Sequence, residues 1–554
     1  MNAKLNPRTL RFIPPVSSLS TITVVLVLAF ADRAHSATNR VTSLADSSAG
    51  SLRRLIADSA PGDSIVFGVT GTVTLASGKL VVDKDLTIMG PGVSSLAISG
   101  GGFQVSGGVH FTLLNLTIAN GSSDSGAGIY NGGGYLSVQN CLFARNTANG
   151  NPASTNGCGG AVFNSGTATI TSSTFAANSA VGAAGSDGTG GPGSAGCGGA
   201  VYNLGNLELR DSTFLNNSVR GGPGGRGGDG MSSMTIAGPG GGDGPGGDGE
   251  GGALFNAGVA TVVNSTFTSN NAYGGPGGVG GSGGNSLYTG YPPRYYGGAG
   301  GRGGMGGVAC GAIYDISGLC FLTNCTVSSN SGFGGTGGPG GPGGSGGLGS
   351  GPAGATGSDG QVLGSLRGAG AVLVNTLLSG NAPGGNCSGT ITDGGHNLSS
   401  DLSCAFTNVG SLNNTDAKLG PLADNGGPTL TTALLPGSPA IDAGDTSLAP
   451  TTDQRGGPAA VLADGGHRCV RVLAHLAGQS NGVWRDRHSG LRYQRSNLPA
   501  ACQQQFLELG AACHQPNRER RNVSILRHLR SWQRLPVLPP GDSISVELKD
   551  THGA

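Results

Sequence analysis

The stretch CGGAVFNSGTATITSSTFAANSA, Cys158 to Ala180, decides the architecture: two short β-forming runs, AVFN and ATITSSTF, are separated by a glycine-containing turn. Nearly the same phrase returns as SGAGIYNGGGYLSVQNCLFARNTA from Ser125 and as CGGAVYNLGNLELRDSTFLNNSV from Cys197. It returns again as EGGALFNAGVATVVNSTFTSNNA from Glu250 and as ACGAIYDISGLCFLTNCTVSSNS from Ala309. A unit of roughly 20 to 25 residues cannot bury its apolar face alone, so the copies must stack.

Within a copy, alternation points Val162, Ile170 and Phe175 into a narrow core and their neighbours toward water. Alignment of the copies puts Phe143, Phe175, Phe214, Phe267 and Val327 at one position, so a parallel stack sets them above one another at about 4.8 Å. A polar ladder follows at the turn after the second strand: Asn146, Asn178, Asn217, Asn270 and Asn330. Another, Asn131, Asn164, Asn203 and Asn256 with Asp315, follows the first. Asparagine suits left-handed turns, bonds local backbone, and stacks through its amides, so both ladders read as structural. Cys141 and Cys325 fill the slot of Ser173, Ser212 and Ser265, which reads as small buried fillers and not nucleophiles. The expected fold is all-β, a right-handed parallel β-helix.

Residues 1–36 read as a secretory signal peptide, with Lys4, Arg8 and Arg11 before an apolar run from Ile22 to Ala31 and small residues at Ala34 and Ser36. The run is far short of the roughly 20 residues of a spanning helix, and no second one occurs. After a linker, 37–48, Ser51 is placed to cap a short helix whose Leu52, Leu55 and Ile56 share a face, ending at Pro61 and Gly62. Such a helix covers the open end of a stack, and residues 49–124 read as this cap with the first coils. Repeats with insertions occupy 125–385. The 11 cysteines are thinly spread, with no CxxC pair and no histidine at zinc spacing, which fits an oxidising compartment without a structural metal.

Glycine supplies 111 of the 554 residues, where about 7% is usual. Most lies in insertions, the longest from Gly221 to Gly249, Gly274 to Gly307 and Gly332 to Gly360, all entering after the same turn and leaving before the same strand. They therefore emerge on one side of the stack, as flexible loops or as a lattice of polyproline-II-like segments packed through glycine. Asp243, Asp248 and Glu250, in GGDGPGGDGEGG, are weak Ca²⁺ candidates, since the segment lacks the apolar position and strict period of calcium-binding nonapeptides. No phosphate-binding loop occurs. Glu208, Arg210 and Asp211 form the one notable charged trio of the repeats, read as a surface ion pair, so no catalytic residue and no cofactor are assigned.

From Ala49 to about Asn381 the chain resembles right-handed parallel β-helix surface proteins, including those with polymorphic outer membrane protein repeats. A sharper resemblance, to the choice-of-anchor Q domain of secreted bacterial β-helix proteins, covers residues 386–457: NCSGTITDGGHNLSSDLSCAF from Asn386, LGPLADNGGPTLTTALLPGSPAIDAGD from Leu419 and TDQRG from Thr452. It implies a disulfide between Cys387 and Cys404, worth about 3 kcal/mol by loop closure, and a surface-attachment signal beyond. The closing elements of that pattern are missing after Gly457. Residues 458–554 instead hold both tryptophans, 12 arginines and a net charge of +6 against −5 before them. This tail reads as out of frame or foreign, the alternative being a basic domain with an amphipathic helix over Asn517 to Arg534. The expected protein is secreted or at the cell surface, monomeric, structural or adhesive, with glycans as partners and no nucleic acid. The rival reading is a pectate-lyase-like polysaccharide lyase or glycoside hydrolase.

Overall fold

A computed structural model describes residues 36–151, 156–288, 290–293 and 295–458, with the backbone of Val483–Arg485 and Arg492–Gln494. The signal-like segment before Ser36 and the rest of the basic tail, Asn517 to Arg534 included, lie outside the described residues.

One coil shows why the repeat folds as it does. Residues 157–181 pass through five short strands, Gly157–Cys158, Val162–Asn164, Thr167–Thr171, Thr174–Ala176 and Ser179–Val181. Each pairs in parallel with its counterpart one coil on, in register: Val162 with Val201, Phe175 with Phe214, Ala180 with Val219. The protein is a parallel β-helix. Two corners per coil hold a non-glycine residue in left-handed backbone, Ser172 and Ala177 in this copy and Asp211 and Asn216 in the next, and a glycine, Gly159 or Gly198, takes a third. The left-handed residue is thus the one before the ladder asparagine, not that asparagine itself, whose side chain turns inward.

Inside, Phe143, Phe175, Phe214 and Phe267 stack with centroids 4.6–4.7 Å apart, and Val327 continues the row. The polar row runs Asn146, Asn178, Asn217, Asn270, Asn330 and on to Asn381 and Asn386, each Nδ2 donating to the next Oδ1 at 2.8–3.0 Å. Each amide from Asn146 to Asn381 also donates to a carbonyl of the preceding coil, as Asn217 does to Phe175 O at 2.9 Å. Buried polar groups so satisfied are cheap, and they fix the register. The second row, from Asn131 to Asn256, ends on Asp315, a carboxylate with no proton to pass on.

The stack opens with helix Leu52–Asp58, whose first turn donates Arg54 N–H to Ser51 Oγ at 3.4 Å and which buries Leu52 and Ile56. The linker expected over 37–48 instead contains a strand, Thr38–Val41, paired in parallel with Ser64–Phe67. Its single buried anchor, Val41, leaves no alternation to read. At the other end residues 419–457 fold back along the stack as a strap. Gln454 Nε2 donates to Thr213 Oγ1 and Thr429 Oγ1, both at 2.9 Å, while Thr266 Oγ1 donates to Gln454 Oε1 at 2.8 Å.

The glycine insertions are a lattice. Outgoing residues 182–188, 221–230, 274–284 and 334–344 lie side by side in one layer and returning residues 190–196, 238–249, 297–309 and 351–361 in another. Along one segment the N–H groups of Gly274, Gly277, Gly280 and Gly283 donate to Phe333, Thr336, Pro339 and Pro342 of the next at 2.8–3.0 Å. A β-strand would repeat every second residue; every third is the three residues per turn of polyproline II. The second glycine of each triplet bonds across the layers, as Gly275 to Gly247 and Gly307 to Gly275 do at 2.8 Å. The third residue, such as Pro276 or Val279, faces out. A Cβ on Gly281 would lie 2.0 Å from Gly228 O, which is why the interior admits only glycine. At the first edge Ala183, Ser186 and Ser194 stand at positions that the interior segments fill with glycine. At the last edge Ala353, Thr356 and Asp359 stand at such positions and are exposed, and Asp359 Oδ1 accepts the Gly337 N–H at 2.8 Å.

This wing predicts that Gly281→Ala costs about 2 kcal/mol or more by overpacking, while Gly242→Ala, with nothing within 4 Å of the new methyl, stays within about 0.5 kcal/mol; limited proteolysis of the wing reads both. In the asparagine row, Asn217→Ala strands partners on both neighbouring coils and is expected to cost about 3 kcal/mol in denaturant unfolding.

Candidate functional site

Where the wing rejoins the coils, five two-residue strands form a narrow sheet: Gly157–Cys158, Gly196–Cys197, Gly249–Glu250, Ala309–Cys310 and Val362–Leu363. In-register pairing sets Cys158, Cys197, Glu250 and Cys310 in a row. Beside them, at the outward position of the adjoining strands, Tyr130, Phe163, Tyr202, Phe255 and Tyr314 stack with centroids 4.8–5.4 Å apart. A cation caps each end. Lys79 Nζ lies 5.4 Å from the Tyr130 ring centre and the Arg367 guanidinium 5.3 Å from that of Tyr314. Lys79 also donates to Ser125 O and Gly126 O, and burial pulls its pKa down to about 8 against the opposing charge of Asp124.

Glu250 is the chemically loaded member. Burial raises its carboxyl pKa, and Asp248 adds to this, while the hydrogen bond from Cys197, the nearby Tyr314 hydroxyl and the charge of Arg367 oppose it. The Cys197 thiol reaches Glu250 Oε2 at 3.4 Å. Tyr314, near the same carboxylate, is pushed up to about 12, mainly by burial. The arrangement can hold or release one proton beside a phenol and a guanidinium.

The wing tip is the second distinctive surface. Its turns lie against one another: Ser233 N–H donates to Asn285 O at 3.0 Å, and Leu348 N–H to Tyr295 O at 3.1 Å. They present Met231, Met234, Ile236, Leu287, Tyr291, Tyr296 and Leu348 to solvent, with Met231 at 82%, Ile236 at 78% and Tyr291 at 96% exposure. Residues 230–238, 285–297 and 345–350 contain no Asp or Glu.

The structure does not gather the Ca²⁺ candidates. Asp248 Oδ1 accepts the Val308 N–H at 2.7 Å, Asp243 lies five residues earlier, and Glu250 belongs to the cysteine row. A three-residue period turns positions five apart to different sides of a segment. Among the described residues no three His, Cys, Asp or Glu side chains group as a metal site. Arg210 pairs with Glu208, while Asp211, on its left-handed corner, accepts from Asn264 Nδ2 at 3.0 Å; burial raises its carboxyl pKa. A disulfide joins Cys387 to Cys404, Cα to Cα 4.8 Å. The aromatic row and Glu250's surroundings escaped sequence reasoning, although aligning the residue before each ladder asparagine (Tyr130, Phe163, Tyr202, Phe255, Tyr314) carries the signal.

No family model matches the chain, and no curated protein matches it. Among solved structures, a PL6 alginate lyase in complex with a trisaccharide is similar at 12% identity over 77% of this chain and 96% of its own, with a TM-score of 0.23. A second PL6 alginate lyase aligns at 11% over 74% of this chain and 58% of its own, TM-score 0.19. The nine-segment polyproline II bundle of an antifreeze protein from the springtail Granisotoma rainieri aligns at 24% over 33% of this chain and 93% of its own, TM-score 0.07.

A carboxyl whose folded pKa is raised binds its proton more tightly in the folded state, so its contribution to stability falls as pH rises through the unfolded value near 4.5. Glu250→Gln is therefore expected to stabilise the chain at pH 7, with the gain disappearing below that value; melting curves from pH 3 to 8 check it.

Proposed function

We propose that the chain is a secreted or cell-surface, non-catalytic β-helix protein of structural and adhesive role, monomeric, whose wing tip contacts an extended glycan. The observation that carries this reading is the tip: large apolar and aromatic side chains held in water at the end of a rigid hydrogen-bonded arm. Exposure of that kind is costly to solubility and is retained where a partner covers it. Phenol rings such as Tyr291 and Tyr296 offer an apolar face and a hydroxyl together, the combination that suits sugars with polar edges and apolar faces. No helix among the described residues is long and apolar enough to cross a membrane. Residues 386–457 serve, in this reading, as a choice-of-anchor Q-like closing domain, and residues 1–36 as the export signal.

A second reading has one observation in its favour. Glu250 with its raised pKa, next to Tyr314 and Arg367, is a set of proton-transfer and charge-stabilising groups of the kind that polysaccharide cleavage uses.

The two separate cleanly. On a glycan array the full chain is expected to bind a class of extended polysaccharide, and Tyr291→Ala with Tyr296→Ala to lose about tenfold or more, about 1.4 kcal/mol. Release of unsaturated or reducing ends by the wild type but not by Glu250→Gln overturns the adhesive reading in favour of the second.

A further inference from the structure

Thiols recur along this β-helix, yet their neighbours differ. Cys141 lies beside Ser173, Cys325 beside Ser265, and Cys320 pairs with Ala260. Cys310 lies between Glu250 and Leu363, its sulfur engaged by Ile313 O and Gly364 O. Among the described residues, two free thiols are paired in register at one place, Cys158 with Cys197. In-register residues of parallel neighbours point the same way with Cα atoms about 4.8 Å apart, inside the roughly 4.4–6.8 Å window of a disulfide. The two thiols are close enough to perturb one another's titration, and the next position along the row is Glu250, whose Oε2 accepts from Cys197 at 3.4 Å. Cys158 is 7% exposed and Cys197 2%. Three consecutive coils thus supply an outer thiol, an inner thiol and a proton acceptor.

We propose that Cys158 and Cys197 form a dithiol–disulfide couple, oxidised by exchange with a low-molecular-weight disulfide, with Glu250 as the base for the closing step. In the first exchange the more exposed Cys158 sulfur attacks one sulfur of the small disulfide. That S–S bond breaks, and the first small thiolate leaves with the Cys158 proton. In the second, Cys197 passes its proton to Glu250 and attacks the Cys158 sulfur. The mixed disulfide breaks, and the second small thiolate takes the proton back from Glu250. Two protein thiols and one small disulfide become one protein disulfide and two small thiols. The neighbouring Cys158 thiol and burial lift the Cys197 thiol far above its ordinary pKa, and Glu250 adds to this, so the free thiolate is rare and the proton passes to Glu250 Oε2, 3.4 Å away, as the new S–S bond forms. Closure ties two coils together across the first wing hairpin, residues 182–196.

The test is a peptide map of the full chain after incubation with oxidised glutathione, alkylation and digestion. The expected result is a Cys158–Cys197 cross-link beside Cys387–Cys404, with Cys141, Cys310, Cys320 and Cys325 alkylated. Cys197→Ser should accumulate the mixed disulfide on Cys158, and Glu250→Gln should close about tenfold more slowly to the same end point. Should Cys197→Ser fail to fold, the wild-type map alone decides. Free, alkylated Cys158 and Cys197 under conditions that fully oxidise a reference dithiol overturn the proposal, as does a cross-link from either to another cysteine.

Discussion

Backbone hydrogen bonding between like residues one coil apart is the constraint from which the rest of the molecule follows. Parallel, in-register pairing means that whatever side chain one coil holds at a position, the next coil holds its counterpart directly above. A favourable choice is then multiplied along the axis, whether it is a phenylalanine on a phenylalanine or an amide on an amide. An unfavourable choice is multiplied too, which is why the interior rows hold stackable types and why the row through Asn256 can end on Asp315, an acceptor without a donor.

The wing obeys the same rule with a different period. Its segments are registered by the coils that launch them, so the outgoing and returning runs arrive already aligned. The third residue of each triplet faces water, and glycine occupies the positions where backbones approach too closely for a methyl group. Both faces and both edges are finished by side chains at positions where the interior demands none. The arm is therefore a finite block, and its tip is held at a set distance and orientation from the β-helix.

How much of this was legible follows from locality. Phe175 and Asn178 announce themselves because their counterparts recur in the sequence, and repetition is enough to infer stacking. The wing is different: GGPGGVGGSGG has the composition of a flexible linker, and what orders it is the insertions of the coils on either side, about 50 to 60 residues away. Composition read one segment at a time leaves loop and lattice open, and the hydrogen bonds from Gly277 to Thr336 and from Gly278 to Gly244 decide for the lattice. Gln454 was part of a recognisable motif, but its bonds to Thr213 and Thr266, some 190 to 240 residues earlier, are not written in any local pattern. Glu250 is grouped with Asp243 and Asp248 by sequence, and Asp248 does bear on its carboxyl, but Cys197, Cys310 and Tyr314 come from neighbouring coils and no local pattern names them. The short strand at Thr38–Val41 was missed because four residues with one buried side chain look like any connector.

The glycine interior of the wing carries a thermal consequence. Unfolding the β-helix body exposes phenylalanine, leucine and valine, and hydrating them raises the heat capacity. Unfolding the wing exposes chiefly peptide groups, whose hydration lowers it. The body then has the ordinary domed stability curve, weakening in the cold as its hydrophobic driving force fades. The wing, held by amide-to-carbonyl bonds with almost no hydrocarbon buried, has a much flatter one. Cooling should leave the arm firm while the body that carries it slackens, so one chain combines two parts with different temperature optima.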